Sequence, residues 1–352
     1  MKLDYIKIGN SKIGPNYKPY IIAEMSGNHN NSLQRALKIV EIAAKCGANA
    51  IKLQTYTADT MTLNIDKPDF RINDKNSLWN NNTLYELYKR ASTPWKWHRL
   101  IMDKAKDLGL DCFSSPFDST AVDFLESLNV PAYKIASFES TDLPLIKKVA
   151  ATKKPLILST GLASKKEIDN ALKVIRNEGC KNYILLKCTS NYPADPKYSN
   201  LKTITDMKKK FKCNIGLSDH TLGIGVAISS IAYGAVVIEK HFTLDRNDGG
   251  VDSVFSLDPS ELKLLVSESI SAWKAIGNIS YGPTRSEISS LKYRRSIYVT
   301  KDLKKGEILS QENIRVIRPS LSLNPKFYEK ILGKKIKKNL KAGSRLSLDI
   351  IS

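Results

Sequence analysis

Between residues 20 and 243 the chain repeats one pattern eight times: a short apolar run, a polar cluster at its end, then an amphipathic stretch. The runs are Tyr20–Ser26, Ala50–Tyr56, Asp111–Phe117, Ala132–Ser137, Pro155–Thr160, Tyr183–Thr189, Asn214–His220 and Ala235–Thr243. Their apolar character predicts strands buried on both faces. The stretches between them predict helices, as in Ser32–Cys46, where Leu33, Ala36, Leu37, Val40 and Ile42 to Ala44 recur near every 3.6 residues. Asn31 or Ser32 before that helix, Gly47 after it, a Ser164 to Glu167 capping box and Gly179 mark helix ends. Eight such units predict an α/β fold, a (β/α)8 TIM barrel whose active site lies at the carboxyl ends of its strands. A doubly wound nucleotide-binding sheet is the competitor. Its fingerprint is weak here: Gly223-Ile-Gly225 follows a run ending in His220, and Ile228 stands where a third glycine is needed.

The 352 residues exceed the roughly 250 of one such barrel. After a predicted helix, Glu261–Ile276, the residues Gly282-Pro283 and the polar stretch Thr284–Ser290 read as a linker. The predicted division is a barrel domain over 1–282, a linker over 283–293 and a small β-rich module over 294–352. That module holds an internal echo, Val299–Ser310 against Lys337–Ser347, each read as strand, Asp/Asn-Leu-Lys-x-Gly turn and strand.

Residues 285–352 carry 17 Lys and Arg against 6 Asp and Glu, more than half of the net charge of +20. No helix-turn-helix, zinc finger or aromatic-laced basic face accompanies them, so acidic small molecules are the expected partners rather than nucleic acid. No apolar stretch approaches the roughly 20 residues that span a bilayer, and the start, Met-Lys-Leu-Asp-Tyr, lacks a signal-peptide run. Five cysteines without a Cys-x-x-Cys complete the expectation of a reduced, cytoplasmic protein with no membrane partner.

Two of only four histidines, His220 and His241, end neighbouring predicted strands, each with a carboxylate one or two positions before it. Imidazole pairs of this kind suit a catalytic divalent metal with open positions for water and substrate. Hydrogen-bonded structural histidines are the alternative. The other expected rim groups are Glu24, Asn28-His29-Asn30, Lys52, Gln54, Ser114 to Asp118, Lys134, Ser137, Glu139, Ser159 to Gly161, Lys187 to Tyr192, Ser218, Asp219, Glu239 and Lys240. Cations, hydroxyls and amides on one face describe a pocket for a phosphorylated or carboxylated anion.

These same segments carry a resemblance. Ile22–Asn30, Lys52-Leu-Gln54, Ser114–Asp118, Tyr133–Ser137, Leu158–Gly161, Cys188–Pro193, Leu217–Ile224, Ile238–Thr243 and Arg294-Arg-Ser296 together resemble the sialic acid synthase family. The family's members are phosphoenolpyruvate-dependent synthases of nine-carbon nonulosonic acids, built from a metal-containing barrel and an antifreeze-like (SAF) domain. Ala23–Gly27, Leu84–Tyr88 and Thr93–His98 look like the branch that condenses phosphoenolpyruvate with 2,4-diacetamido-2,4,6-trideoxy-L-altrose to give pseudaminic acid and phosphate. The N-acetylneuraminic and legionaminic acid synthases are the alternatives within the family.

The resemblance implies a divalent metal at His220 and His241, most often Mn²⁺, with Mg²⁺ or Co²⁺ as alternatives. It assigns Lys52, Ser115, Lys134, Ser137, Ser190 and Ser218 to phosphoenolpyruvate. Ser115 and Ser190 stand where the sialic acid branch carries Thr and Asn. Glu24 is the expected acid/base, Glu139 and Glu239 are further catalytic candidates, and Gln54, Tyr192 and Asp252 are expected at the amino-deoxy hexose, with selectivity in the loops Thr57–Trp79 and Tyr281–Tyr293. Arg318 corresponds to an arginine that enters the partner's barrel in a domain-swapped homodimer. From other classes, a Schiff-base aldolase using Lys52, Lys134 or Lys187, and a non-catalytic carbohydrate- or ice-binding protein, remain as alternatives.

Overall fold

The computed structural model describes residues 5–75 and 77–352. The reading of Met1 to Asp4 as free of a leader, and Asn76 within the selectivity loop, lie outside the described residues. The chain divides into two compact units, 1–277 and 278–352.

The first unit opens with a hairpin of two short strands, β1 (Ile6–Ile8) and β2 (Ser11–Ile13). Eight strands follow: β3 (Tyr20–Glu24), β4 (Ala50–Thr55), β5 (Asp111–Pro116), β6 (Tyr133–Ile135), β7 (Leu156–Ser159), β8 (Tyr183–Cys188), β9 (Asn214–Ser218) and β10 (Val237–His241). They pair in parallel in chain order, and β10 closes on β3 with His241 beside Glu24. The unit is a closed (β/α)8 barrel.

Each strand ends one or two residues before the predicted apolar run does. Among the last residues of these runs, Ser26, Ser137 and His220 have left the ladder and stand at the mouth. Helices cover the outside, and their ends follow local chemistry. Ser32 accepts a bond from the Arg35 amide to cap Leu33–Lys45, and Ser164 and Glu167 form a reciprocal box on Lys165–Asn177.

Side-chain alternation sorts each strand into an inner and an outer face. Tyr20, Ile22, Ala50, Phe113, Ala132, Ile157, Ile184, Leu186 and Val237 form the lower barrel interior, where Ile6, Ile8 and Ile13 of the hairpin join them. The amino end of the barrel is thus sealed by apolar packing. Chemistry is left to the opposite end. The hairpin escaped prediction because three-residue strands give no periodic signal.

The second unit pairs β11 (Ser296–Val299) with β12 (Ile314–Ile317) antiparallel around its own core, including Ile297, Leu303, Leu309, Ile314 and Leu340. The internal echo is real, but of the predicted strands flanking its turns only the one ending at Val299 is a ladder, and the others are single bridges. The two copies instead clasp each other. Leu303 and Leu340, equivalent in the echo, exchange both backbone bonds at 2.8 and 2.9 Å. Asn339 Oδ1 accepts the Lys305 amide at 2.8 Å, and Asp302 Oδ1 accepts the Ala342 amide at 2.9 Å. The module is therefore built about a local pseudo-twofold axis.

Candidate active site

Above the apolar interior the inner face becomes polar in one step. Glu24, Lys52, Ser115, Lys134, Ser159, Cys188, Ser218 and Glu239, one from each barrel strand, form a buried ring. Lys52 Nζ lies 2.5 Å from Glu24 Oε2, 3.6 Å from Glu239 Oε1 and 3.2 Å from Ser115 Oγ. Lys134 Nζ donates to Glu239 Oε1 at 3.0 Å, and Ser218 Oγ to the same oxygen at 3.4 Å. Gln54 Nε2, two residues higher on β4, donates to Glu24 Oε1 at 3.1 Å.

The two ring carboxylates are driven apart. Burial lifts Glu24 to about 7, although Lys52 pulls against it. Glu239 is equally buried, but Lys134 and Lys52 together outweigh desolvation and hold it ionised down to about 2. Burial opposes the charge on Lys52, yet Glu239 and Glu24 keep that ammonium above its ordinary value. Glu139, just after β6, is raised to about 7 by burial, and its Oε2 has no hydrogen-bond partner among the described residues. Divergent environments around paired carboxylates are the usual arrangement for proton exchange near neutral pH.

Over the ring stand the imidazoles. His241 ends β10, whereas His220 lies two residues beyond β9 and not in it as the sequence suggests. Their ring centroids are 5.4 Å apart, with Tyr192 at 4.4 Å from His220 and Phe255 at 4.9 Å from His241. His220 Nδ1 lies 2.9 Å from the Thr189 carbonyl, which can only accept, so in the neutral ring the proton sits on Nδ1 and Nε2 keeps its lone pair. Burial, reinforced by the ammonium charges of Lys52 and Lys134, holds His241 neutral. Cys188 Sγ is 4.0 Å from His220 Nδ1; burial disfavours its thiolate, but that contact brings the thiol down to about 6.

Among the described residues no group of three or more His, Cys, Asp and Glu side chains is arranged to hold a cation. Two imidazoles with available lone pairs nevertheless fit a divalent ion whose remaining positions go to water and substrate. The buried Glu239 Oε2, without a hydrogen bond, lies in the ring below.

Ser137 and Ser190 meet above β7. A Cβ on Gly161 would stand 2.2 Å from Ser190 Oγ and 2.6 Å from Ser137 Oγ, so glycine lets both hydroxyls converge. Outside this lies a cavity of about 360 Å³ whose polar lining includes Gln54, Glu139, Ser190, Tyr192, His241 and Asp252. Met61, Ile72, Leu84, Leu87, Phe117 and Phe138 supply its apolar wall.

Several expected rim residues turn elsewhere. Lys240 alternates to the outer face of β10, where its Nζ binds Asp219 at 2.9 Å and the carbonyls of Thr221 and Gly223. This is a buried staple. Lys187 also points outward and donates to Cys188 O and Thr189 Oγ1, which removes it from the Schiff-base candidates. His29 packs on Thr93 and Trp97, with burial lowering it to about 4, and Asp118 caps the helix Ser119–Ser127. Arg318 is exposed in the second unit, directly after β12. Sequence reasoning missed Phe255, which flanks both imidazoles from a single turn with no periodic pattern.

Residues 39–281 match the model of the NeuB family, and residues 294–349 match that of the SAF domain. The chain belongs to the NeuB family. Among its relatives are the pseudaminic acid synthase of Campylobacter jejuni, 45% identical over 97% of this chain and 98% of that protein, and the pseudaminic acid synthase of Helicobacter pylori, 43% identical over 95% and 98%. A solved structure of this family fold is the N-acetylneuraminic acid (sialic acid) synthetase of Leptospira borgpetersenii in complex with citrate. It has a TM-score of 0.73 and 33% identity, covering 83% of this chain and 96% of that one. The family and fold expected from the motifs are therefore correct for this NeuB-family chain.

Proposed function

We propose that this protein condenses phosphoenolpyruvate with 2,4-diacetamido-2,4,6-trideoxy-L-altrose and water, giving pseudaminic acid and phosphate. The observation that carries the reading is the buried ring of two lysines, three serines and two glutamates beneath paired imidazoles. In the free protein the Lys52 and Lys134 charges are neutralised by Glu24 and Glu239. A phosphate and a carboxylate entering beside Ser115, Ser137, Ser190 and Ser218 compete for those ammonium groups. Glu24 is the glutamate poised to take up a proton as they do, because it already titrates near neutrality.

The apolar wall supports the choice of sugar. A 6-deoxy hexose with two acetamido groups offers three methyls to Met61, Ile72, Leu84, Leu87, Phe117 and Phe138, where a hydroxyl-rich hexose would leave polar groups unpaired. Gln54, Tyr192 and Asp252 face the polar edge of the same sugar.

In the reaction, C3 of phosphoenolpyruvate attacks the open-chain aldehyde carbon, a C–C bond forms and the aldehyde oxygen takes a proton. Water adds to C2 and gives up a proton; the C2–O bond to phosphate then breaks, phosphate leaves with that electron pair, and the new C2 hydroxyl loses its proton as C2 becomes the ketone. Glu24 exchanges the protons and Glu139 orients water. Mn²⁺, or another divalent ion at His220 and His241, supplies Lewis-acid polarisation of the aldehyde oxygen when bound. Arg318 completes the sugar site from the second subunit of a homodimer. The protein works in the cytoplasm, where phosphoenolpyruvate is made.

Phosphate release from phosphoenolpyruvate tests the reading. It is expected only when the altrose derivative and a divalent metal are both present, and release without the sugar, or trapping by borohydride with chelator present, argues against it.

A further inference from the structure

We infer that Ser26 and Asp252 form a positioning chain for His241, so that the loop after β3 sets how well the protein holds its metal. This rests on the reading of His241 as a metal ligand. Ser26 is one of the residues that mark the sequence as departing from the sialic acid branch, and the proposed reaction leaves it without a task.

Ser26 is buried and sits at φ +47°, a left-handed conformation that serine seldom adopts. Its hydroxyl donates to Asp252 Oδ2 in a short, fully buried hydrogen bond. The same Oδ2 lies 3.5 Å from His241 Nδ1, and that nitrogen has no hydrogen-bond partner among the described residues. A carboxylate facing Nδ1 favours the tautomer with its proton there, which frees Nε2 as the donor.

The loop that carries Asp252 is clamped to the loop that carries Ser26. Asn28 Oδ1 accepts the Asp252 amide at 3.2 Å, while Asn28 Nδ2 reaches the Phe242 carbonyl at 3.0 Å and Ser256 Oγ at 2.8 Å. Ser256 Oγ in turn donates to the Asp252 carbonyl at 2.7 Å. A Cβ on Gly250 would stand 2.7 Å from Asn28 Oδ1, so glycine is needed there for this approach. Fixing the Asp252 backbone from both sides leaves its two side-chain torsions free. The Ser26 hydroxyl holds the carboxylate they would move.

The test is Mn²⁺ affinity of the full-length protein by calorimetry, without substrates, beside thermal unfolding and phosphoenolpyruvate KM. The isosteric Asp252→Asn should weaken Mn²⁺ binding about 10–100-fold, the usual effect of losing such a support. Ser26→Ala and Ser26→Gly should both weaken it several-fold and to the same degree, because both lose the hydroxyl while only glycine relieves the backbone. For the Ser26 variants, phosphoenolpyruvate KM at saturating Mn²⁺ should stay within about 3-fold, since its ring lies below. Affinities within 2-fold of wild type in Asp252→Asn and Ser26→Ala overturn the positioning chain. A His241→Ala protein that binds Mn²⁺ normally overturns the metal reading itself, and this inference with it.

Discussion

Lys52 Nζ lies between two buried carboxylates, 2.5 Å from Glu24 Oε2 and 3.6 Å from Glu239 Oε1. One ammonium therefore serves two acids. Removing it as Lys52→Met strands Glu24 without its cation and should destabilise the fold by roughly 3–5 kcal/mol. Urea unfolding measures the loss, and phosphate release should fall to background.

Glu24 titrates near pH 7 because burial outweighs Lys52. Glu24→Gln should lower kcat by about 10²–10⁴-fold and abolish the limb of the kcat/KM profile close to neutral pH. A profile that keeps this limb in Glu24→Gln assigns the ionisation elsewhere.

Glu139 gives a stability test. Unfolded, it ionises near 4.5; folded, burial keeps its proton until about 7. Its contribution is complete below 4.5 and is lost as pH rises through 7. Glu139→Gln keeps a neutral side chain at every pH, so the variant's Tm minus the wild-type Tm should increase from pH 4.5 to pH 8. Taking the difference cancels His29 and His98, which both hold low values in the fold and pull in the other direction.

Gly161 is the sharpest test of the serine pair. Gly161→Ala places a methyl 2.2 Å from Ser190 Oγ and must push one hydroxyl away. Losing a hydrogen bond to a charged group costs about 1.5–3 kcal/mol, so kcat/KM for phosphoenolpyruvate should fall roughly 10- to 100-fold. Steady-state kinetics with the sugar saturating would show it, with circular dichroism unchanged.

Arg318 is exposed after β12 in the second unit. Arg318→Ala should raise the sugar KM several-fold and leave that of phosphoenolpyruvate unchanged. Sedimentation should show a dimer in both proteins, and full activity in a monomer contradicts the assignment.

The barrel was legible because its buried parallel strands are mostly apolar until their carboxyl halves, and every predicted strand start falls within two residues of the observed one. What could not be read was the parity of each rim residue. Glu239, Lys240 and His241 are contiguous and all ionisable, yet one pleat sends Lys240 to Asp219 outside and its neighbours to the mouth. His29 and His220 likewise look equivalent as rim histidines, and only packing separates a Thr93 partner from a site imidazole. The echo revealed Leu303 and Leu340, but their mutual pairing is a long-range contact that no local pattern encodes.

The most direct measurement is mass spectrometry of products after incubation with phosphoenolpyruvate, Mn²⁺ and each candidate hexose in turn. The account predicts pseudaminic acid from 2,4-diacetamido-2,4,6-trideoxy-L-altrose, with one phosphate released per sugar consumed. A product from N-acetylmannosamine alone, or none from any hexose, contradicts it.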